Sequence, residues 1–154
     1  MSVTKGLVAG AAGTVALNLT TYGDMLLRGR GSSEVPAQVA DRFVDRAGVD
    51  LGDEETRTNR EQAVGALLGY VTGLGVGAAY GLLRRRSGPL PDWLAGPLLG
   101  VAAMAGSDVP ASVLGVTDPT SWDRISWVSD LVPHLVYGFT TASVYQALRW
   151  TGEA

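Results

Sequence analysis

Four mostly apolar runs, at about residues 6–27, 62–83, 92–115 and 129–150, alternate with polar stretches, and the longest polar stretch, 28–61, follows the first run. No residue is charged from Gly6 to Gly23 or from Gln62 to Leu83. A helix needs about 20 residues to cross a bilayer, so each run has the length of a span. Unpaired backbone groups in hydrocarbon favour helix over every open alternative. The pattern predicts an all-α fold: one domain, an integral membrane four-helix bundle, with a short amphipathic helix in the first loop.

The polar stretches predict their own local structure. Ser33 is a candidate cap for a short helix with Pro36 in its first turn. In that helix Val39, Phe43, Val44 and Ala47 share one face, Asp41, Arg42, Asp45 and Arg46 the other, and Gly48 is the stop. Such a helix either covers the membrane domain or lies on the lipid surface. Asp53 is placed to cap the next helix, which runs through Thr56 and Glu61 into the second span. Arg84, Arg85 and Arg86 end that span, and Ser-Gly-Pro-Leu-Pro makes a turn. Asp92 is placed to cap the third span, which Asp108 and Pro110 interrupt and kink. Residues 117–128 read as an interfacial segment. The fourth span starts near Asp130, with Pro133 in its first turn.

Glycine sets how these helices meet. Gly65, Gly69, Gly73, Gly77 and Gly81 recur at every fourth residue, and Gly96 and Gly100 repeat the spacing in the third span. An i+4 row turns by roughly 40° per step, so it forms a slowly winding groove in which another helix can pack closely. The partner is a helix of the same chain or a second copy. Gly6-x-x-x-Gly10 resembles Gly96-x-x-x-Gly100, and Tyr80-x-x-Leu83-Arg84 resembles Tyr145-x-x-Leu148-Arg149, as duplicated hairpins would.

Composition agrees in part. Charged residues are 18% of the 154, below the soluble average of about 25%. Mean hydropathy is only +0.16, because 28–62 concentrates eight acidic and six basic side chains. With no cysteine there is no disulfide framework or thiolate chemistry, and a net charge of −3 argues against nucleic acid as a partner. A signal peptide is the competing reading of the first run, but no small-x-small cleavage site follows it, and Asn18 to Thr21 is too polar. With four crossings Trp93 and Trp150 fall at one interface and Trp122 and Trp127 at the other, as an aromatic belt requires. Seven cations lie on the loop side and five on the terminus side. The compact run Arg84–Arg86 nevertheless favours termini inside the cytoplasm.

Ionisable groups within spans are costly and mark candidate sites. Counting 1.5 Å per residue, Asn18 lies roughly 18 Å from Gly6 and Asp108 roughly 22 Å from Trp93. Both therefore sit in the half of the membrane away from the termini. His134 lies about a turn inside the fourth span from that face, with Asp24 and Asp130 at its rim. Asn18, Asp24, Asp108, Asp130 and His134 form the candidate polar cluster, with Asp108 and His134 as a pair able to exchange protons. The bland alternative is that Asp130 caps a helix, Asp24 sits among headgroups and His134 bonds a carbonyl. One His and no Cys argue against a transition-metal site, while the carboxylates are able to hold a hard cation. No dinucleotide fingerprint, nucleophile elbow or cofactor motif is present.

Gly6-Leu-Val-Ala-Gly-Ala-Ala-Gly-Thr14, Val35-Pro36 after the first span and Pro133-His134-Leu-Val-Tyr-Gly138 in the last resemble the small bacterial inner-membrane proteins of the YagU type. The resemblance implies a four-helix protein of the bacterial cytoplasmic membrane, a family associated with acid resistance and with no defined activity. A second histidine before the glycine span is lacking here, so a paired-histidine role does not carry over. The sequence leads to a non-enzymatic membrane protein without cofactor. One expectation is a pore or carrier-like protein with a polar cavity. The other is an accessory subunit whose glycine groove docks a partner helix or a second copy.

Overall fold

The computed structural model describes residues 2–85, 87 and 90–150. Among them the fold is all-helical: α1 (Ser2–Arg28), α2 (Val35–Ala47), α3 (Glu54–Leu83), α4 (Asp92–Val113) and α5 (Arg124–Trp150), with one 3₁₀ turn at Pro119–Ser121. Arg86 of the three-arginine run, and Gly88 and Pro89 of the turn after it, lie outside the described residues.

Local chemistry explains most boundaries. Asp53 Oδ1 accepts a hydrogen bond from the Thr56 amide at 2.9 Å, and Glu54 and Glu55 sit in the first turn of α3, where the helix dipole favours anions. Gly48 ends α2 in the left-handed region at φ 65°, which glycine adopts without a Cβ clash. Three expected caps are corrected. Glu34, not Ser33, flanks the start of α2, and Ser33 Oγ accepts from the Val35 amide at 3.3 Å. Pro91, not Asp92, precedes α4. Asp92 instead accepts from Ser143 Oγ at 3.0 Å and from the Gln146 amide, tying α4 to α5. Asp130 caps nothing, because α5 begins at Arg124 with Asp123 Oδ1 accepting from the Ser126 amide at 2.7 Å. The expected interfacial segment is therefore partly helix, and Pro133 lies inside α5, buried. The early polar residues do not stop α5, since Ser129 Oγ bonds back to the Ile125 carbonyl at 2.7 Å.

The four long helices form a ring in which each runs antiparallel to its neighbours, in the order α1, α3, α4, α5. Glycine permits the close approaches. A Cβ on Gly10 would stand 2.6 Å from the Gly73 carbonyl oxygen, and one on Gly77 2.7 Å from the Gly10 Cα. One on Gly100 would stand 2.8 Å from the His134 carbonyl oxygen, and one on Gly13 2.9 Å from that of Tyr137. The α1–α3 and α4–α5 hairpins thus close through the same small-on-small contact. The α3–α4 pair differs: it touches where Gly106 meets Thr72, then parts toward the termini. Two tyrosines cross the ring from α5 to α3. Tyr137 donates to the Gly73 carbonyl at 2.6 Å and Tyr145 to the Gly81 carbonyl at 3.4 Å, while the Tyr145 ring meets Tyr80 edge-to-face at 5.0 Å.

The winding of the glycine row is visible in its contacts. Gly73, Gly77 and Gly81 face α1, whereas Gly65 faces α2, where a Cβ would stand 2.6 Å from the Pro36 carbonyl. Gly69 is a correction to the expected packing set: it is exposed, with open space where a Cβ would point. It falls where the row has turned away from α2 and has not yet reached α1. α2 itself packs on α3 as a cover, with Val39 and Ala40 buried. Arg57 of α3 bonds Asp41, Asp45 at 2.6 Å and Glu61 at 2.7 Å. The hydrogen bond and charge of Arg57 hold the Asp41 carboxyl below the usual carboxylate range.

Small residues are inside and large aliphatic residues outside. Ala9, Ala95, Ala103, Ala111 and Ala142 are buried beside Tyr137 and Tyr145, while Leu19, Leu67, Val71, Val101 and Val113 are exposed. Two helices, α3 and α4, are long and apolar enough to cross a membrane, and only 22% and 33% of their most apolar stretches are buried. α1 and α5, expected as the first and fourth spans, have 27 residues each but do not reach the same apolarity.

Candidate functional site

Three of the five expected polar residues come together. Asp108 projects from α4 one turn before its end, and Asp130 and His134 stack on consecutive turns of α5. Asp108 and Asp130 stand opposite each other across the α4–α5 seam, near enough for each to act on the other. His134 Nδ1 lies 2.8 Å from the Asp130 carbonyl oxygen and 3.5 Å from Asp130 Oδ1. A carbonyl only accepts, so Nδ1 carries the hydrogen and Nε2 stays available. The side chains of His134 and Asp130 retain 13% and 26% of their exposure, so the cluster is sheltered yet reachable. Asp130 Oδ2 is buried with no donor among the described residues. Ser107 Oγ beside Asp108 bonds back to the Met104 carbonyl at 2.9 Å.

The fold places this cluster through glycine. Gly96 and Gly100 of α4 and Gly138 of α5 let the two backbones touch, which brings Asp108 and Asp130 opposite each other just over two turns further along. Asn18 and Asp24 do not join. They sit on α1, across the ring from α4, because α1 packs between α3 and α5. Asn18 is half-buried, and its side chain has no hydrogen bond among the described residues. Asp24 is held at the rim by Arg28 and by Arg30 Nε at 2.7 Å. Arg28 reaches on to Ser129 Oγ at 2.5 Å, lining a shallow cleft of about 190 Å³ with Thr20, Val132 and Pro133.

Sequence reasoning missed the ring's interior polar residues. Thr14, Thr141 and Tyr137 are buried at its centre, with Thr14 Oγ1 donating to the Gly10 carbonyl at 2.9 Å. Tyr137 and Tyr145 are eight residues apart, as are the glycines they bond, Gly73 and Gly81. That matched spacing was the available signal. Among the described residues no three His, Asp or Glu side chains converge as a metal site. Comparison with known protein families, with characterised proteins and with solved structures gives no match.

Proposed function

We propose that this chain is an integral membrane four-helix bundle of the bacterial cytoplasmic membrane, in which α1 and α5 cross together with α3 and α4. Its inside-out distribution supports this. Lipid does not drive large aliphatic residues inward, and helices in lipid pack through small residues. A soluble monomer rarely leaves such large apolar faces open. The five-residue cluster expected from sequence narrows to Asp108, Asp130 and His134.

Within that frame the reading best supported is a carrier-like protein that binds a proton at this cluster, open toward the loop side. The observation that carries it is a pair of sheltered carboxyls, Asp108 and Asp130, set opposite each other across one helix seam, with Asp130 Oδ2 buried and lacking a donor among the described residues. Two carboxylates can bond each other only when one holds a proton, as in other acidic pairs. A proton on Asp108 would also give Asp130 the donor it lacks. A pore through a single subunit has less support, because Tyr137, Thr14 and Thr141 fill the ring's centre. The accessory-subunit reading rests on free glycine, and α1 and α2 of the same chain already occupy the groove at all but Gly69 of its row. The likeness to YagU-type proteins belongs to this proposal, and a proton-binding site fits that family's association with acid resistance.

The test uses the protein in liposomes. Infrared spectra at neutral pH are expected to show the carbonyl stretch of a protonated carboxyl, lost in Asp108→Asn. An imposed pH gradient is expected to collapse faster with the wild type than with that variant. No protonated carboxyl and no difference in the gradient would leave the cluster as polar glue between α4 and α5.

A further inference from the structure

We propose that the groove between α3 and α4 at the terminus end is a binding site for one anionic phospholipid, its acyl chain between the helices and its phosphate on Arg84. This rests on the membrane reading above but not on the proton site.

The groove exists because α3 and α4 touch at Thr72 and Gly106 and then diverge. It holds about 350 Å³ and is lined by Val76, Ala79, Leu83, Leu90, Leu98 and Ala102, among others, all apolar except for the Tyr80 ring and Arg84 at the mouth. From Val76 to Arg84 it follows α3 for roughly 12 Å at 1.5 Å per residue. A second helix is a poor occupant: its diameter with side chains is about 10–12 Å, and the cavity is far too small to take one of that length. A flexible hydrocarbon chain suits the volume and the aliphatic lining inside the mouth.

Charge selects the headgroup. Among the described residues the terminus end carries Lys5, Arg84, Arg85 and Arg149 against the single carboxylate Asp92, and none of these cations has a carboxylate partner. Asp92 cannot serve Arg84, since it is committed to Ser143 and Gln146 on the α5 side. On the loop side Arg28, Arg30 and Arg57 are paired with carboxylates, and Arg42, Arg46, Arg60 and Arg124 are not, but thirteen carboxylates there leave that end net negative among the described residues. Arg149 bonds the Arg84 carbonyl at 3.4 Å, which holds the end of α3 in place and leaves the Arg84 guanidinium, a bidentate phosphate donor, at the mouth of the groove.

The experiment is native mass spectrometry of the full chain from detergent doped with phosphatidylglycerol or phosphatidylcholine. The expected result is one phosphatidylglycerol retained in preference to phosphatidylcholine, with retention falling at least fivefold in Arg84→Gln and unchanged in the loop-side control Arg124→Gln. Ala102→Phe, which fills the groove and leaves every cation in place, is expected to lose the lipid as well. Equal retention of both lipids, or loss only with both arginine variants, would overturn the proposal in favour of annular lipid. A wild-type dimer that retains no lipid and that Ala102→Phe dissociates would assign the groove to a second copy instead. Recovery of the chain as a soluble protein after alkaline extraction of membranes would refute the membrane reading, an outcome distinct from each of the others.

Discussion

Tyr137 shows what a single residue contributes in this interior. Its hydroxyl reaches a helical carbonyl only because Gly73 has no side chain to shield it. Interhelical hydrogen bonds of this kind within membranes average about 0.6 kcal/mol and reach about 1.7. Tyr137→Phe is expected to destabilise the protein within that range without changing its fold, read as a lower unfolding midpoint in mixed micelles. A loss above about 3 kcal/mol would mean that the ring, and not the hydroxyl, had been disturbed. Asp108 and His134 were both legible as sheltered polar residues. Asp130 was legible in the same cluster, at its rim; its place well inside α5 was not, because the helix begins six residues earlier than the apolar pattern suggests.

At the scale of elements, the glycine row separates residues that look alike in sequence. Gly77→Leu forces a side chain into the α1 backbone and is expected to cost about 3 kcal/mol or more, by overpacking that no rotamer relieves. Gly69→Leu meets open space and is expected to change stability by less than about 1 kcal/mol, with any gain coming from helix propensity. Thermal unfolding of both variants in detergent checks the pair, and equal losses would place Gly69 in a contact absent from the single chain. α2 offers a second test. The folded-state pKa of Asp41 is depressed by Arg57, so the docking this pair supports is complete above the unfolded carboxylate pKa of about 3.9. It is lost as pH falls through the lower, folded-state value. Amide protection in α2, taken relative to the intrinsic exchange rate at each pH, is expected to be high at pH 7 and to fall selectively, ahead of α1 and α5, once the pH drops below about 4. Protection that is equal at both pH values would assign the docking to Val39 and Ala40 alone.

The whole molecule is electrically polar. Among the described residues the terminus end has four cations to one carboxylate, and the loop end seven cations to thirteen carboxylates. Raw counts of Lys and Arg favour the loop side, but the anions there offset them, and among the described residues only the terminus end is net positive, the end that in the proposed membrane setting would meet a leaflet as a cation. Such an end suits the anionic cytoplasmic surface. A reporter active only in the cytoplasm is therefore expected to give signal when fused after Trp150, and none when inserted at Gly48 in the α2–α3 loop. The reverse pattern would invert the molecule and put the Asp108 cluster on the cytoplasmic side.

The sequence by itself determined what depends on local chemistry and on one-dimensional pattern. Helix content followed from the apolar runs, the start of α3 from Asp53 and the end of α2 from Gly48, since a cap bonds within three residues of itself. Close helix contact followed from glycine spacing, because the absence of a side chain is a property of the residue alone. Only the tertiary structure decided which helix fills each part of the groove, since a row that turns at each step meets different neighbours along its length. It also decided which polar residues meet. Asn18 and Asp108 share a depth, but depth is one coordinate, and the order of helices around the ring supplies the second. That order puts α5 beside α4, so Asp130 and His134 reach Asp108, and it puts α1 across the ring, so Asn18 does not.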